Sequence, residues 1–326
     1  PGCNLAQPMI IATSASSDSP LRLVEIAPRP LGASDVRIKV RAIGVNPVDW
    51  KMRAGGPLRF AHRFVGPSGP LVVGVDFAGE VAETGQGVTD LALGARVVGA
   101  TDFSRKQLGS YADEVIVRTD QLALLPDSVS FDQAACLPVP GATAHQALVD
   151  FAHLDAKPGA KVLVLGASGG VGLCMLQLAR SMGAVTVGVC SGKNVAVVEK
   201  LGAVAIDYNA GDALEAARAH GPFDLVFHAV GTQAYPLGSC RSLLTPTGVV
   251  ALVVVRGADV WALASSKQVR SSLGRATRPL LENLVGAVAR GELTCRIEEK
   301  FPLASAEEAH VRSRAGKVVG KLLLAP

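Results

Sequence analysis

"VLVLGASGGVG", residues 162–172, runs through four apolar residues and then places glycines at 166, 169, 170 and 172. The apolar part reads as a buried strand. Directly after it, "VGLCMLQLARSMGA" (171–184) repeats Val171, Met175, Leu178 and Met182 at helical spacing, so a helix opens at the glycines. A strand, a glycine turn and a helix leave free backbone N–H groups at the positive end of the helix dipole, and small residues let a pyrophosphate approach. The stretch therefore reads as a seat for a dinucleotide, made by Gly166, Ala167, Ser168, Gly169, Gly170 and Val171. The strict G-x-G-x-x-G spacing is not met, because Ser168 takes the second glycine position of a frame begun at Gly166. The plain alternative is a tight turn with no ligand.

Outward from this stretch the same rhythm continues. "KVLVL" (161–165), "VTVGVC" (185–190), "AVAID" (203–207), "DLVFHAV" (224–230) and "VVALVVV" (249–255) alternate with helix-like segments. Continuous rather than alternating apolar character predicts strands covered on both faces, hence a parallel sheet in a doubly wound α/β domain. The second strand ends "VCSGKN", with Ser191 and Lys193 and no carboxylate nearby. A ribose 2′-hydroxyl is usually met by an acidic side chain there, whereas a 2′-phosphate needs donors and positive charge, so NADPH is expected over NADH. The alternative is that Ser191 caps, and Lys193 begins, a solvated helix.

Before Pro126 the pattern differs. "DVRIKVRA" alternates Val36, Ile38 and Val40 with Arg37, Lys39 and Arg41, and "GARVVGA" and "YADEVIVRTDQLALLP" look similar, so this half is expected to be mostly β. Beyond Arg278 come another helix, "RPLLENLVGAVARGEL", and a final strand, "GKVVGKLLLAP", that is expected to rejoin the first domain.

At 326 residues the chain suggests two domains. Apolar residues make up 49% and charged ones 18%, which supplies buried cores, while 4% aromatics and a net charge of +4 argue against a nucleic-acid partner. Six cysteines lie far apart with no Cys-x-x-Cys pair, which suits reduced thiols better than disulfides or structural zinc. No apolar stretch reaches the roughly 20 residues needed to cross a bilayer, so a soluble protein is expected, cytoplasmic or in an organelle such as the chloroplast. The opening "PGCNLAQP" reads either as a fusion remnant or as the stub of a processed leader.

In order along the chain, "GVNPVDWKMRAG" (44–55), "GVDFAGEV" (74–81), "LPVPGATAHQAL" (137–148), "LGASGGVG" and "VCSGKN" resemble the zinc-independent quinone oxidoreductases and alkenal reductases of the medium-chain dehydrogenase/reductase superfamily. The resemblance implies a GroES-like, mostly-β catalytic domain (1–126 and 273–326), a Rossmann domain (127–272), and an active site in the cleft. It implies NADPH-dependent reduction of quinones or of the C=C bond of enones and 2-alkenals, small electron-poor acceptors. Zinc-dependent cousins carry a ligand Cys at Asn46 and Gly-His-Glu at Gly74-Val75-Asp76, so no metal is expected. Carried over by position, the resemblance puts Cys190, Ser191, Lys193 and Tyr208 at the adenosine end, Thr143 near the nicotinamide, and Ala229, Val230 and Val253 along the ribose and ring. Packing or capping is the alternative for Thr143 and Tyr208.

Hydride addition to such an acceptor leaves a developing oxyanion that needs donors. Asn46 offers an amide, Lys51 an ammonium, and Asp49 can orient either or relay a proton. "NP" is also a turn opener, so Asn46 and Asp49 could instead shape the loop. Trp50, Phe60 and Phe64 are candidate pocket walls or core residues.

Three readings compete beyond this. A short-chain dehydrogenase shares the glycine motif but needs Tyr-x-x-x-Lys, and none of Tyr111, Tyr208 and Tyr235 has Lys four positions on. A catalytically silent NADPH-binding adaptor, or an RNA binder on the same fold, stays open because fold does not decide function. Charged "SSKQVRSSLGRATRP" stands where the family often pairs strands across a dimer, so both monomer and homodimer are expected states.

Overall fold

The computed structural model describes residues 9–14, 19–272 and 274–326, and the chain divides into two units. The first holds the chain up to Val139 with Ala276–Arg290 and Ile297–Pro326, and the second holds Pro140–Arg275 and Gly291–Arg296. The opening octapeptide with Cys3, and Leu273 at the expected domain boundary, lie outside the described residues.

The first unit begins with a hairpin of β1 (Met9–Thr13) and β2 (Arg22–Ile26). Its sheet is built from β3 (Asp35–Val45), β4 (Asp76–Thr84), β5 (Arg96–Ala100), β6 (Glu114–Arg118) and β7 (Leu122–Leu124). Between β3 and β4 lie α1 (Pro47–Ala54) and α2 (Gly56–Val65). The short helix α3 (Phe131–Ala135) packs on β3 and β4, which is why this unit continues past Pro126. Val36, Ile38 and Val40 are buried as their alternation requires, but Arg37 on the opposite face is buried too. It is held there by Glu83 at 2.9 Å and Glu114 at 3.4 Å, since a guanidinium leaves water only when paired.

The second unit holds α4 (Pro138–His145) from Pro140 onward, and a six-stranded parallel sheet. Its strands are β8 (Lys161–Leu165), β9 (Val185–Cys190), β10 (Val204–Asp207), β11 (Phe223–His228), β12 (Leu244–Leu252) and β13 (Val269–Ser271). The order β10-β9-β8-β11-β12-β13 is the doubly wound arrangement in which direction reverses between β8 and β11. Val162, Leu163, Val164 and Leu165 are each fully buried, as a strand covered on both faces must be. Helix α5 (Gly170–Ser181) follows β8. Its buried residues include Leu173, Cys174, Met175, Leu176 and Ala179, so of the stripe read from the spacing only Met175 is buried, while Val171, Leu178 and Met182 are half-buried. Strand β12 starts and stops earlier than "VVALVVV", because its partner β11 runs from Phe223, opposite Leu244, to His228, opposite Leu252.

The tail rejoins the first unit. Strand β14 (Ile297–Pro302) pairs parallel with β15 (Lys321–Ala325), and β15 pairs antiparallel with β3. This brings Lys321 to the end of β3, beside the start of α1. Among the described residues, cysteines 136, 174, 190, 240 and 295 are joined in no disulfide.

Candidate active site

The second unit places the residues expected to hold a cofactor at the carboxyl edge of the parallel sheet, where β8, β9, β11 and β12 all end. After β8 the chain turns at Gly166 with φ of 89°, a left-handed value that favours glycine. Gly166 and Ala167 donate to Val189 O, which ties the turn to β9. Gly169 is the N-cap of α5, so the first-turn amides of Gly170 and Val171 have no acceptor within the helix. A Cβ on Gly172 would lie 2.3 Å from Gly166 O, so a side chain there is incompatible with this turn. On Gly169 a Cβ would meet only Gly166 O, at 3.5 Å, an ordinary contact distance.

The neighbouring turn is locked to this one by Asn194, whose amide donates to Ser168 Oγ at 3.0 Å. Ser191 is half-buried and Lys193 exposed, while Tyr208 is 49% exposed. Cys190 is buried, and burial pushes its thiol up to about 11, so it serves as packing rather than as a thiolate. One expectation is corrected: a carboxylate does stand near this strand end. Strand β10 pairs Asp207 with Cys190, and a Cβ on Gly192 would sit 2.4 Å from Asp207 Oδ2. The other oxygen of Asp207 accepts from the backbone and side chain of Asn209, both at 2.9 Å.

Ala229 and Val230 follow β11 on a loop organised by His228, a residue no motif singled out. His228 Nδ1 accepts from Gly231 N–H, so its proton is on Nε2 and is donated to Tyr235 O at 2.9 Å. Burial lowers the His228 pKa, which keeps the imidazole neutral and both bonds intact. Val230 is 47% exposed, and a Cβ built on Gly166 would touch both Val230 and Ala229. Val253 donates its N–H to His228 O. Ser272 bridges from Leu252 O, through its N–H, to Thr143 O, through its hydroxyl at 2.8 Å, and so holds buried Thr143 beside the end of β12. The residues expected to hold the cofactor thus converge on one sheet edge.

The first unit holds the other candidates. Asn46 and Asp49 open α1 and are 2% and 1% exposed. Asp49 Oδ2 accepts from Asn46 N–H at 2.7 Å. The Asn46 amide donates to Asp76 Oδ2 at 2.9 Å and to Gly44 O at 3.3 Å, so both its hydrogens are spent, which corrects the expectation that it serves an acceptor's oxyanion. The Lys321 ammonium, 5% exposed, donates to Asn46 Oδ1 at 2.6 Å, Val45 O at 3.1 Å and Asp76 Oδ2 at 3.3 Å. Burial raises the Asp76 pKa while Lys321 and the Asn46 amide pull it back. Burial lifts Asp49 to about 7, the Asn46 N–H opposes this, and the nearby Asp76 adds to it. Lys51 is half-buried, with its ammonium 5.5 Å from the centre of the Trp50 ring. Phe60 and Phe64 stack on one another at 4.7 Å and are 67% and 65% exposed, so neither is a core residue.

Comparison with known proteins gives a consistent relationship. Residues 32–127 match the family pattern described as alcohol dehydrogenase GroES-like domain, and residues 201–324 match the one described as zinc-binding dehydrogenase. The chloroplast envelope quinone oxidoreductase homolog of Arabidopsis thaliana is 32% identical over 306 residues, 90% of each chain. Among solved structures, the quinone oxidoreductase from Coxiella burnetii superposes with a TM-score of 0.85 at 30% identity over 98% of both chains. The Escherichia coli quinone oxidoreductase complexed with NADPH does so with a TM-score of 0.79 at 26% identity, over 98% of this chain and 99% of that one.

Zinc, named in one of those descriptions, does not fit the donors present. Zinc sites use thiolate, imidazole and carboxylate. Of the positions where zinc-dependent cousins carry ligands, Asn46 is a neutral amide already bonded, Val75 has no donor, and the Asp76 carboxylate faces the Lys321 ammonium. A divalent cation placed beside that buried ammonium would be repelled. Among the described residues no three His, Cys, Asp or Glu side chains gather as a metal site. With the doubly wound sheet, the glycine turn and relatives at this identity over nine-tenths of its length, the chain belongs to the quinone oxidoreductase group of the medium-chain dehydrogenase/reductase superfamily, the NAD(P)H-dependent oxidoreductases.

Proposed function

We propose that the protein binds NADPH and reduces a small electron-poor acceptor, a quinone or the C=C bond of an α,β-unsaturated carbonyl. The observation that carries this reading is the sheet edge itself. There the amides of Gly170 and Val171, without acceptors inside the helix, stand between Ser191, Lys193 and Tyr208 on the β9–β10 side and Ala229, Val230, Val253 and Thr143 on the β11–β12 side. The amides and the α5 dipole suit a diphosphate, and the exposed Lys193 suits a 2′-phosphate. The NADPH complex of the Escherichia coli relative supports the same choice.

When bound, the reduced nicotinamide supplies the hydride, and the chain's own residues bind, orient and provide the proton. Asp49, titrating near neutral pH, is suited to general acid chemistry, and Asn46 positions it through the backbone N–H. Lys51 can support negative charge that develops on the acceptor.

Two measurements test this. NADPH absorbance followed with small quinones, enones, 2-alkenals and a saturated aldehyde should fall with at least one of the first three classes and not with the last. Binding of NADPH without turnover of any of them would refute the catalytic assignment. Lys193→Ala should raise the KM for NADPH by about tenfold, the loss of one charge-assisted contact, and leave that for NADH nearly unchanged. Equal effects on both would remove the 2′-phosphate assignment. Because Asp207 lies close by, Asp207→Asn should move preference the opposite way, further toward NADPH.

A further inference from the structure

Tyr111 and His310 were assigned no role in the proposed site, yet both are fully buried, and Tyr111 bonds Asp49 directly while His310 reaches it through Tyr111. The connection has a direction. Arg53 has only donors, so its contact with His310 Nδ1 at 3.4 Å makes that nitrogen the acceptor and puts the ring proton on Nε2. Nε2–H then donates to Tyr111 Oη at 3.1 Å, and the Tyr111 hydroxyl donates to Asp49 Oδ2 at 3.2 Å. Arg53 is fixed in turn by Glu307 at 2.5 Å and Ser19 O at 2.7 Å.

Asp49 Oδ2 therefore receives two hydrogens, from Tyr111 and from the Asn46 backbone, and can only accept. When Asp49 is protonated, its hydrogen is on Oδ1. That oxygen is buried and has no hydrogen-bond partner. Asp49 lines a cavity of about 20 Å³ whose wall also includes Val48, Met52, Val75, Thr101 and Gln107. This is room for one water, which needs at least roughly 10–15 Å³ and two or more polar neighbours.

We propose that Asp49, Tyr111 and His310 form a proton-loading site: a single water in this cavity bonds Asp49 Oδ1, and the carboxyl hydrogen is presented there for delivery to the reduced acceptor. The inference rests on the reductase reading above. After a hydride has added to the acceptor, the Asp49 O–H bond breaks and its proton joins the acceptor anion, at carbon for an enone or at oxygen for a quinone. The carboxylate left behind takes its next proton from water. Tyr111 and His310 are positioning residues, since they decide which oxygen carries the hydrogen without touching the acceptor.

The groups that set this titration come from several elements. Burial and Asp76 of β4 raise the Asp49 pKa, while the Asn46 N–H, Lys321 of β15 and the Tyr111 hydroxyl lower it. His310, from helix Ala306–Arg314, is pushed down to about 4 by burial and by Arg53 and Arg314, against the opposing charge of Glu307. It therefore stays neutral and keeps its orientation throughout the range in which Asp49 loads.

The test is a carboxyl-carbon NMR titration of cofactor-free enzyme labelled at aspartate, read beside the pH profile of kcat. Wild type should show one aspartate with a midpoint near about 7, absent in Asp49→Asn. Tyr111→Phe removes a donor to the carboxylate and should move that midpoint, and the alkaline limb of kcat, to higher pH with the KM for NADPH unchanged. His310→Gln, which can still accept from Arg53 and donate to Tyr111, should behave as wild type, and His310→Leu, which keeps the Tyr111 donor but loses the bond that orients it, should shift the midpoint in the same direction by less than Tyr111→Phe. An aspartate that fails to titrate near neutral pH, or a midpoint unmoved by Tyr111→Phe, would overturn the loading site. The titration needs no acceptor, so a protein that reduces nothing in the panel would sink the reductase reading while this result still stood for or against the site.

Discussion

Gly172→Ala is expected to weaken NADPH binding by about 100-fold or more while the chain still folds. The added methyl would sit 2.3 Å from Gly166 O and 2.8 Å from the Cα and O of Ala167. All of these are backbone atoms, so no side chain can swing away and the turn must lift from α5. A lifted turn misplaces the amides of Gly170 and Val171. Losing two hydrogen bonds to a charged group at about 1.5–3 kcal/mol each accounts for a change of that size. Overpacking adds a stability cost of about 1–3 kcal/mol. Fluorescence titration of NADPH checks the affinity, with Gly238→Ala as the control because a Cβ there meets nothing within 4 Å. Gly169→Ala should separate the two effects, with melting near wild type because its Cβ has room, and weaker binding because that room is where the diphosphate is proposed to lie.

Lys321→Met is expected to cost about 3–5 kcal/mol at pH 8, the cost of stranding a buried charge, and to lower the melting temperature on the order of 10 °C. The ammonium is the cation for a cluster in which Asp76 is 0% exposed and Asn46 2% exposed. The sign of the pH dependence follows from Asp76. Its folded pKa is raised above the ordinary 3.8 by burial, and removing Lys321 takes away an opposing influence and raises it further. Between the unfolded and folded values the native state holds the extra proton, so stability falls as pH rises. The deficit of Lys321→Met against wild type should therefore grow from pH 5 to pH 8. Adding Asp76→Asn should recover most of it, because the amide needs no counter-charge. Thermal unfolding of the two variants across this range is the measurement, and a deficit independent of pH would contradict the pairing.

The division between what the chain's order reveals and what only folding reveals is clear in these residues. Strands β8, β9 and β11 and the end of β12 are legible because burial on both faces leaves continuous apolar runs, and the glycine turn is legible because strand, glycines and helix follow one another directly in the chain. Lys321 meets Asn46 across 275 positions and His310 meets Tyr111 across 199, and no local pattern marks either pair. The burial of Arg37 is not readable from the alternation, which reports strand geometry rather than the glutamates placed beside it by β4 and β6. Asp207 was missed for a related reason. It is the last residue of β10, and parallel pairing with β9, rather than proximity in the chain, brings it to Gly192. His228 ends a strand that was recognised, but its role depends on the path of the following loop.

The most direct test of the whole account is the rate of nicotinamide oxidation in chelator-treated enzyme, with NADPH carrying protium or deuterium at the transferred C4 position and with the best acceptor of the panel. A primary slowing with deuterium, at a rate the chelator leaves unchanged, is the predicted result. Turnover that disappears with the chelator and returns with zinc, or no oxidation with any quinone, enone or alkenal, would contradict it.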